Sequence, residues 1–177
     1  FKNVRLALKA FRDVRKTFPA AEYHLVGPGL EQDGPCHRWA AGNGMTTGVF
    51  FHGRLAHADA LDCIRRCDVV FHPSREESFG NPLIEGMALG RVVVAGRNSG
   101  GCAWVLDEGR AGYLVDVTSV PDMARVLIAI GLRPEPARKI AKSGLALAES
   151  RYAPEAVTRG YEMIYKSIID DAGGISV

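Results

Sequence analysis

Between residues 4 and 18, apolar side chains fall at Val4, Ala7, Leu8, Phe11, Val14 and Phe18, the three-four spacing of an amphipathic helix. Pro19 predicts its end, because a proline ring forces the preceding residue out of helical geometry. Lys2, Arg5, Lys9, Arg12 and Lys16 lie opposite the apolar stripe. This basic stripe suits a solvated helix face and also leaves room for peripheral contact with anionic lipid or an acidic partner. After the helix the pattern shortens. Glu22–Gly27 reads as a strand that stops at Gly27-Pro28-Gly29. Residues 28–47 carry glycine and proline without periodicity and read as a long loop over the sheet edge. Gly48–His52 is a second strand, 56–67 a helix, Asp68–His72 a third strand, 82–89 a helix and Val92–Ala95 a fourth strand. A short helix near 102–108 leads to a fifth strand at Tyr113–Val115. From 119 onward the pattern is helical, with Pro134 and Pro154 in first turns.

Short β-branched runs bounded by glycine and proline, alternating with helices, imply a parallel sheet covered on both faces. Such connections are right-handed crossovers, so the predicted fold is α/β: a doubly wound, Rossmann-like parallel sheet with a helical C-terminus.

Composition narrows the function. The chain has 177 residues, 47% hydrophobic and 24% charged, which suits one soluble globular domain spanning 1–177. Lys plus Arg number 22 against 20 Asp plus Glu, too even a balance for a nucleic-acid footprint. No apolar run approaches the ~18 residues of a membrane span. Cys36, Cys63, Cys67 and Cys102 are too scattered for a disulfide scaffold. Cys63, Cys67, His57 and the Cys36-His37 pair lack metal-ligand spacing, so no metal is expected, and reduced thiols suggest a cytoplasmic protein. Phe1 is not a natural first residue, so further chain is expected ahead of it.

Ligands of open α/β sheets sit beyond the carboxyl ends of the strands. Gly27-Pro28-Gly29 lacks the third glycine of a dinucleotide fingerprint. The segment after His72 carries more chemistry. Asn81 is predicted to cap a helix with Pro82 in its first turn, which would place the N–H groups of Ser78, Phe79, Gly80 and Asn81 at a positive helix end. Gly80 lets a ligand approach the main chain. Glu77 and Glu85 bracket the loop, and a carboxylate can accept from two vicinal hydroxyls. Phosphates in the middle with hydroxyls at both ends describe a nucleotide sugar. A polar loop, a capped helix and two exposed glutamates describe the same residues equally well.

At these residues the chain resembles the C-terminal, nucleotide-sugar-binding domain of GT-B fold retaining glycosyltransferases, the group 1 or family 4 enzymes. Glu77 and Glu85 are similar to that family's E-x7-E motif. Val70-Phe71-His72-Pro73-Ser74 before it and Glu85-Gly86-Met87-Ala88-Leu89-Gly90 after it also match. Ser99-Gly100-Gly101, the run Asp107–Val115 and Arg151-Tyr152 resemble downstream segments, so the likeness covers nearly the whole chain.

The resemblance implies roles position by position. Glu77 would be the catalytic-site carboxylate on the donor sugar, and Glu85 would accept from the nucleotide ribose. Lys2 and the backbone of Ser78, Phe79, Gly80 and Asn81 would hold the diphosphate. Gly27, Pro28, Gly29, Phe51 and His52 would line the base pocket, mostly through main chain. It implies transfer with retention to a glycan, lipid-linked or small-molecule acceptor, without a bound metal or other cofactor. It also implies an N-terminal acceptor-binding domain as partner, and a domain inactive by itself. Two departures stand out. Trp104 occupies the position of a usual glutamate, where packing against the sheet edge is expected. The family's first strand of this domain, with an arginine that helps bind the diphosphate, is not in the sequence. A non-catalytic nucleotide-sugar-binding module and a GT-B epimerase or phosphorylase are the alternatives.

Overall fold

The computed structural model describes residues 2–173, with side chains through Asp170. Its elements, in order, are α1 (Val4–Thr17), β1 (Tyr23–Val26), α2 (Pro35–Gly42), β2 (Val49–Gly53), α3 (His57–Arg66), β3 (Val69–His72), α4 (Asn81–Ala88), β4 (Val92–Gly96), α5 (Cys102–Val105), β5 (Tyr113–Val115), α6 (Val120–Leu132), α7 (Pro134–Leu147) and α8 (Pro154–Gly173). A 3-10 turn, Asp107–Gly109, follows α5, and a π-type turn, Ala148–Tyr152, joins α7 to α8.

Every strand pair is parallel. β4 lies between β3 and β5, all five of its residues are buried, and its Val92-Val93-Val94-Ala95 run is the unbroken apolar stretch that a strand covered on both faces requires. Alternation sends Val92 and Val94 to a core with Ala10 of α1, Met123 and Ile130 of α6 and Ala137 of α7. Val93 and Ala95 face Leu83 and Met87 of α4 and Cys102 and Val105 of α5. Helices therefore cover both faces, as the doubly wound reading expects. A third core packs Leu8 of α1 against Leu25, Ala40, Met45 and Phe51.

Two expectations are corrected. Residues 28–47 are not one loop: Pro35 opens α2, which buries Ala40. The helix is only 8 residues long with one wholly buried side chain, too little apolar surface to leave a periodic pattern. The expected single sheet is also divided among the described residues, into β1-β2 and β3-β4-β5. The rings of Tyr23 and Phe71 meet across that division, 6.3 Å between centroids.

Candidate functional site

The site begins with how α4 starts. Gly80, not Asn81, is the cap: its φ of 83° is a left-handed conformation that glycine adopts without strain. Asn81 and Pro82 form the first helical positions, one residue earlier than expected. Among the described residues, no acceptor takes the N–H of Ser78, Phe79, Gly80 or Asn81. The loop thus offers four unused donors beside the positive end of a helix.

Glycines fix the loop from both sides. Gly86 brings α4 onto the sheet, since a Cβ there would lie 2.9 Å from Val70 and 3.0 Å from Val93. Gly100 and Gly101 press on the loop backbone, where Cβ atoms would come within 2.2 Å of the Glu77 carbonyl and 2.3 Å of the Ser78 carbonyl. The Gly101 N–H donates to the Glu77 carbonyl at 2.9 Å. Beneath them, buried Ser99 donates from its hydroxyl to the Ser74 carbonyl at 2.6 Å, and the Ser74 hydroxyl donates to the Glu76 carbonyl at 2.9 Å.

Both carboxylates have cationic or imidazole partners. Glu77 Oε2 lies 3.0 Å from Lys2 Nζ and 3.0 Å from His72 Nε2. Its carboxyl is held below the usual carboxylate range, chiefly by the Lys2 hydrogen bond; burial opposes this, and the His72 hydrogen bond adds a smaller lowering effect. Burial pushes the His72 imidazole below its ordinary value more strongly than the glutamate lifts it. A neutral imidazole donating from Nε2 to an ionised carboxylate satisfies both groups. Lys2, expected at the diphosphate, reaches the loop through Glu77. Glu85 Oε1 lies 3.0 Å from Nε2 of His57, the first residue of α3. Sequence reading missed both histidines as partners of these glutamates: nothing in local spacing links residues 5 and 28 apart.

At the expected base pocket, Gly27 and Gly29 have φ of 140° and 81°, and the Gly29 N–H donates to Glu31 Oε1 at 2.9 Å. Pro28 is exposed between them. The Phe51 ring is buried in the third core, edge-on to His37, which leaves its backbone as the part that can face a ligand. His52 is exposed on the other side of β2. Trp104 is half-exposed rather than packed on the sheet edge. It meets Phe79 and Tyr152 at centroid distances of 6.1 and 6.2 Å, and the Arg151 guanidinium lies 3.8 Å over its ring. An aromatic wall therefore stands beside the Glu77–Asn81 loop. Two cavities, of about 400 and 390 Å³, lie away from this loop, one lined by Asp107, Arg110, Leu147 and Ser150 and the other between His24 and α3.

Known proteins are similar to this chain in sequence and in fold. Residues 1–131 match the family model described as glycosyl transferases group 1. The D-inositol 3-phosphate glycosyltransferase of Saccharomonospora viridis is 32% identical over 140 residues, covering 79% of this chain and 32% of the relative. The phosphatidyl-myo-inositol mannosyltransferase of Mycobacterium leprae is 29% identical over 177 residues, covering 99% of this chain and 46% of the relative. Thus the chain spans a third to under half the length of these relatives. The crystal structure of Anabaena Alr3699/HepE in complex with UDP superposes with a TM-score of 0.81 at 25% identity, covering 94% of this chain and 46% of that one. The C-terminal domain of the glycosyl transferase group 1 protein LpcC from Francisella tularensis gives 0.71 at 23% identity, covering 85% and 80%. With the E-x7-E carboxylates on either side of one helix start and three quarters of its length matched, this chain belongs to the glycosyl transferases group 1 family.

Proposed function

We propose that this chain is the donor-binding part of a retaining glycosyltransferase that takes a sugar from a nucleoside diphosphate. The observation that carries the reading is the loop Glu77–Asn81, with four unused N–H donors between two carboxylates at the start of α4. In this reading the N–H groups of Ser78, Phe79, Gly80 and Asn81 receive diphosphate oxygens, and Lys2 adds a cation on the same side. As the glycosidic bond breaks, charge grows on the leaving diphosphate. Donors already aimed at that position stabilise it without reorganising, so no step requires a metal. Glu77 accepts from donor-sugar hydroxyls, held in place by His72. Glu85 accepts from the ribose diol, with His57 as its orienting partner. The Gly27-Pro28-Gly29 turn and the backbone at Phe51 and His52 supply the base pocket.

The divided sheet fits a strand ahead of α1 that pairs with both β1 and β3, and an acceptor domain before it. An acceptor held at a lipid surface would suit Arg5, Lys9 and Arg12 on α1, although Arg5 already lies 5.0 Å over the Trp39 ring. No helix of the described residues is long and apolar enough to cross a membrane.

Transfer assays on the full-length protein test this reading. Glu77→Ala is expected to lower kcat by about 10²-fold or more with a smaller change in donor affinity, as for a group engaged mainly in the transition state. NMR of the product is expected to show the donor's anomeric configuration kept. An inverted product would refute retention.

A further inference from the structure

A second cluster of chemistry lies apart from the donor loop, on the β1–β2 face turned toward α3. His24 pairs with Phe50 in register, and its ring stacks on Phe50 and on His52 at centroid distances of 4.8 and 5.2 Å. Stacking leaves His24 Nδ1 and His52 Nε2 facing each other at 2.9 Å. Across a cavity of about 390 Å³, α3 presents Cys63. One ligand atom from each of His24, His52 and Cys63 lies within 4.8 Å of the others.

We infer that His24 Nδ1, His52 Nε2 and Cys63 Sγ form a binding site for a divalent transition cation of the zinc class. Zn–N bonds of about 2.0–2.1 Å and Zn–S bonds of about 2.3 Å set tetrahedral donor atoms roughly 3.3–3.6 Å apart. The imidazole pair is already near that separation, and the thiol closes the remaining distance by a side-chain movement of about 1 Å. Imidazole with thiolate is the donor set of zinc and its neighbours, and a poor one for magnesium or calcium. Glu22 supplies the outer partner: its Oε2 lies 3.2 Å from His24 Nε2, which fixes that nitrogen as the protonated one and turns Nδ1 to the cation. Cys63 gives up its thiol proton to solvent when the cation binds, and water from the cavity takes the fourth position. Cys67 lines the same cavity but stands outside the three-ligand group.

The consequence is structural. No residue of α3 is wholly buried, so the helix is held to β1 and β2 by little apolar packing. A cation bridging strand and helix would fasten it there.

Cobalt is a spectroscopic substitute for zinc. Titrating tag-free protein with Co²⁺ is expected to give one equivalent bound, a thiolate-to-cobalt charge-transfer band and the intense d–d bands of tetrahedral coordination, all abolished by one equivalent of Zn²⁺. Cys63→Ala should remove the charge-transfer band, and His24→Ala should weaken Zn²⁺ at least about tenfold, with circular dichroism confirming that both variants fold. Glu22→Gln should weaken Zn²⁺ about tenfold with stoichiometry kept. Cys67→Ala should leave the band in place. Absence of the band in wild type, its survival in Cys63→Ala, or its loss in Cys67→Ala would each overturn the assignment.

Discussion

Glu77 draws on two neighbours, Lys2 and His72, and the balance between them is testable by pH. His72 is harder to protonate in the fold than in the unfolded chain, so the unfolded state binds the extra proton. Stability from this source is complete above about pH 6.5 and is lost as the pH falls through the ordinary and then the folded pKa. Glu77 has the same sign at lower pH, below about 4.3. The thermal midpoint is therefore expected to drop between about pH 7.5 and 5.5, and His72→Gln should flatten that drop, since an amide keeps a donor without titrating. Equal slopes in wild type and variant would contradict the assignment. The carboxylates themselves were legible in the sequence from their spacing around a proline-led helix start. Their partners were not, because His57 and His72 arrive through the crossover geometry of α3 and β3.

At the scale of elements, the donor loop depends on close backbone approach. Gly100 has φ of 57°, and a Cβ there would overlap the Glu77 carbonyl at 2.2 Å. Gly100→Ala is expected to lower stability by about 1–3 kcal/mol and to weaken nucleotide binding along with it. Gly90 is the control: its φ is 65°, with nothing within 4 Å of a Cβ, so Gly90→Ala should reduce stability by about 1 kcal/mol and leave binding unchanged. Denaturant unfolding paired with titration checks both. If Gly100→Ala bound nucleotide normally, the buttressing role would be wrong. The strands were read almost to the residue, because β-branched runs such as Val92–Val94 sit between clear glycine and proline stops. α2 escaped notice because Gly34, Pro35 and Gly42 read as loop punctuation, although here they bound a helix.

The whole molecule is a doubly wound domain whose sheet divides between β1 and β3. Sequence alternation foretold parallel strands on both sides of that line but not the line itself, which is a matter of hydrogen-bond pairing rather than of periodicity. A strand ahead of α1 that pairs with both edges would protect their backbone amides. Amide exchange at Val69–His72 is expected to slow by about tenfold or more in any longer form of the protein that carries such a strand, relative to residues 1–177 alone. Equal rates would mean that no strand occupies that line. The same parallel arrangement sends the ends of β3 and β4 toward one loop cluster, which is why the donor loop, the Gly100-Gly101 turn and the Trp104 wall converge.

Calorimetric titration of the folded protein with UDP, GDP, dTDP and their sugars puts the donor site to the most direct test. One nucleotide family is expected to bind at a single site, and Glu85→Ala to weaken it by about 10–100-fold, the loss of charge-assisted hydrogen bonds to the ribose. Binding of none of these nucleotides, or equal affinity in Glu85→Ala, would contradict the account.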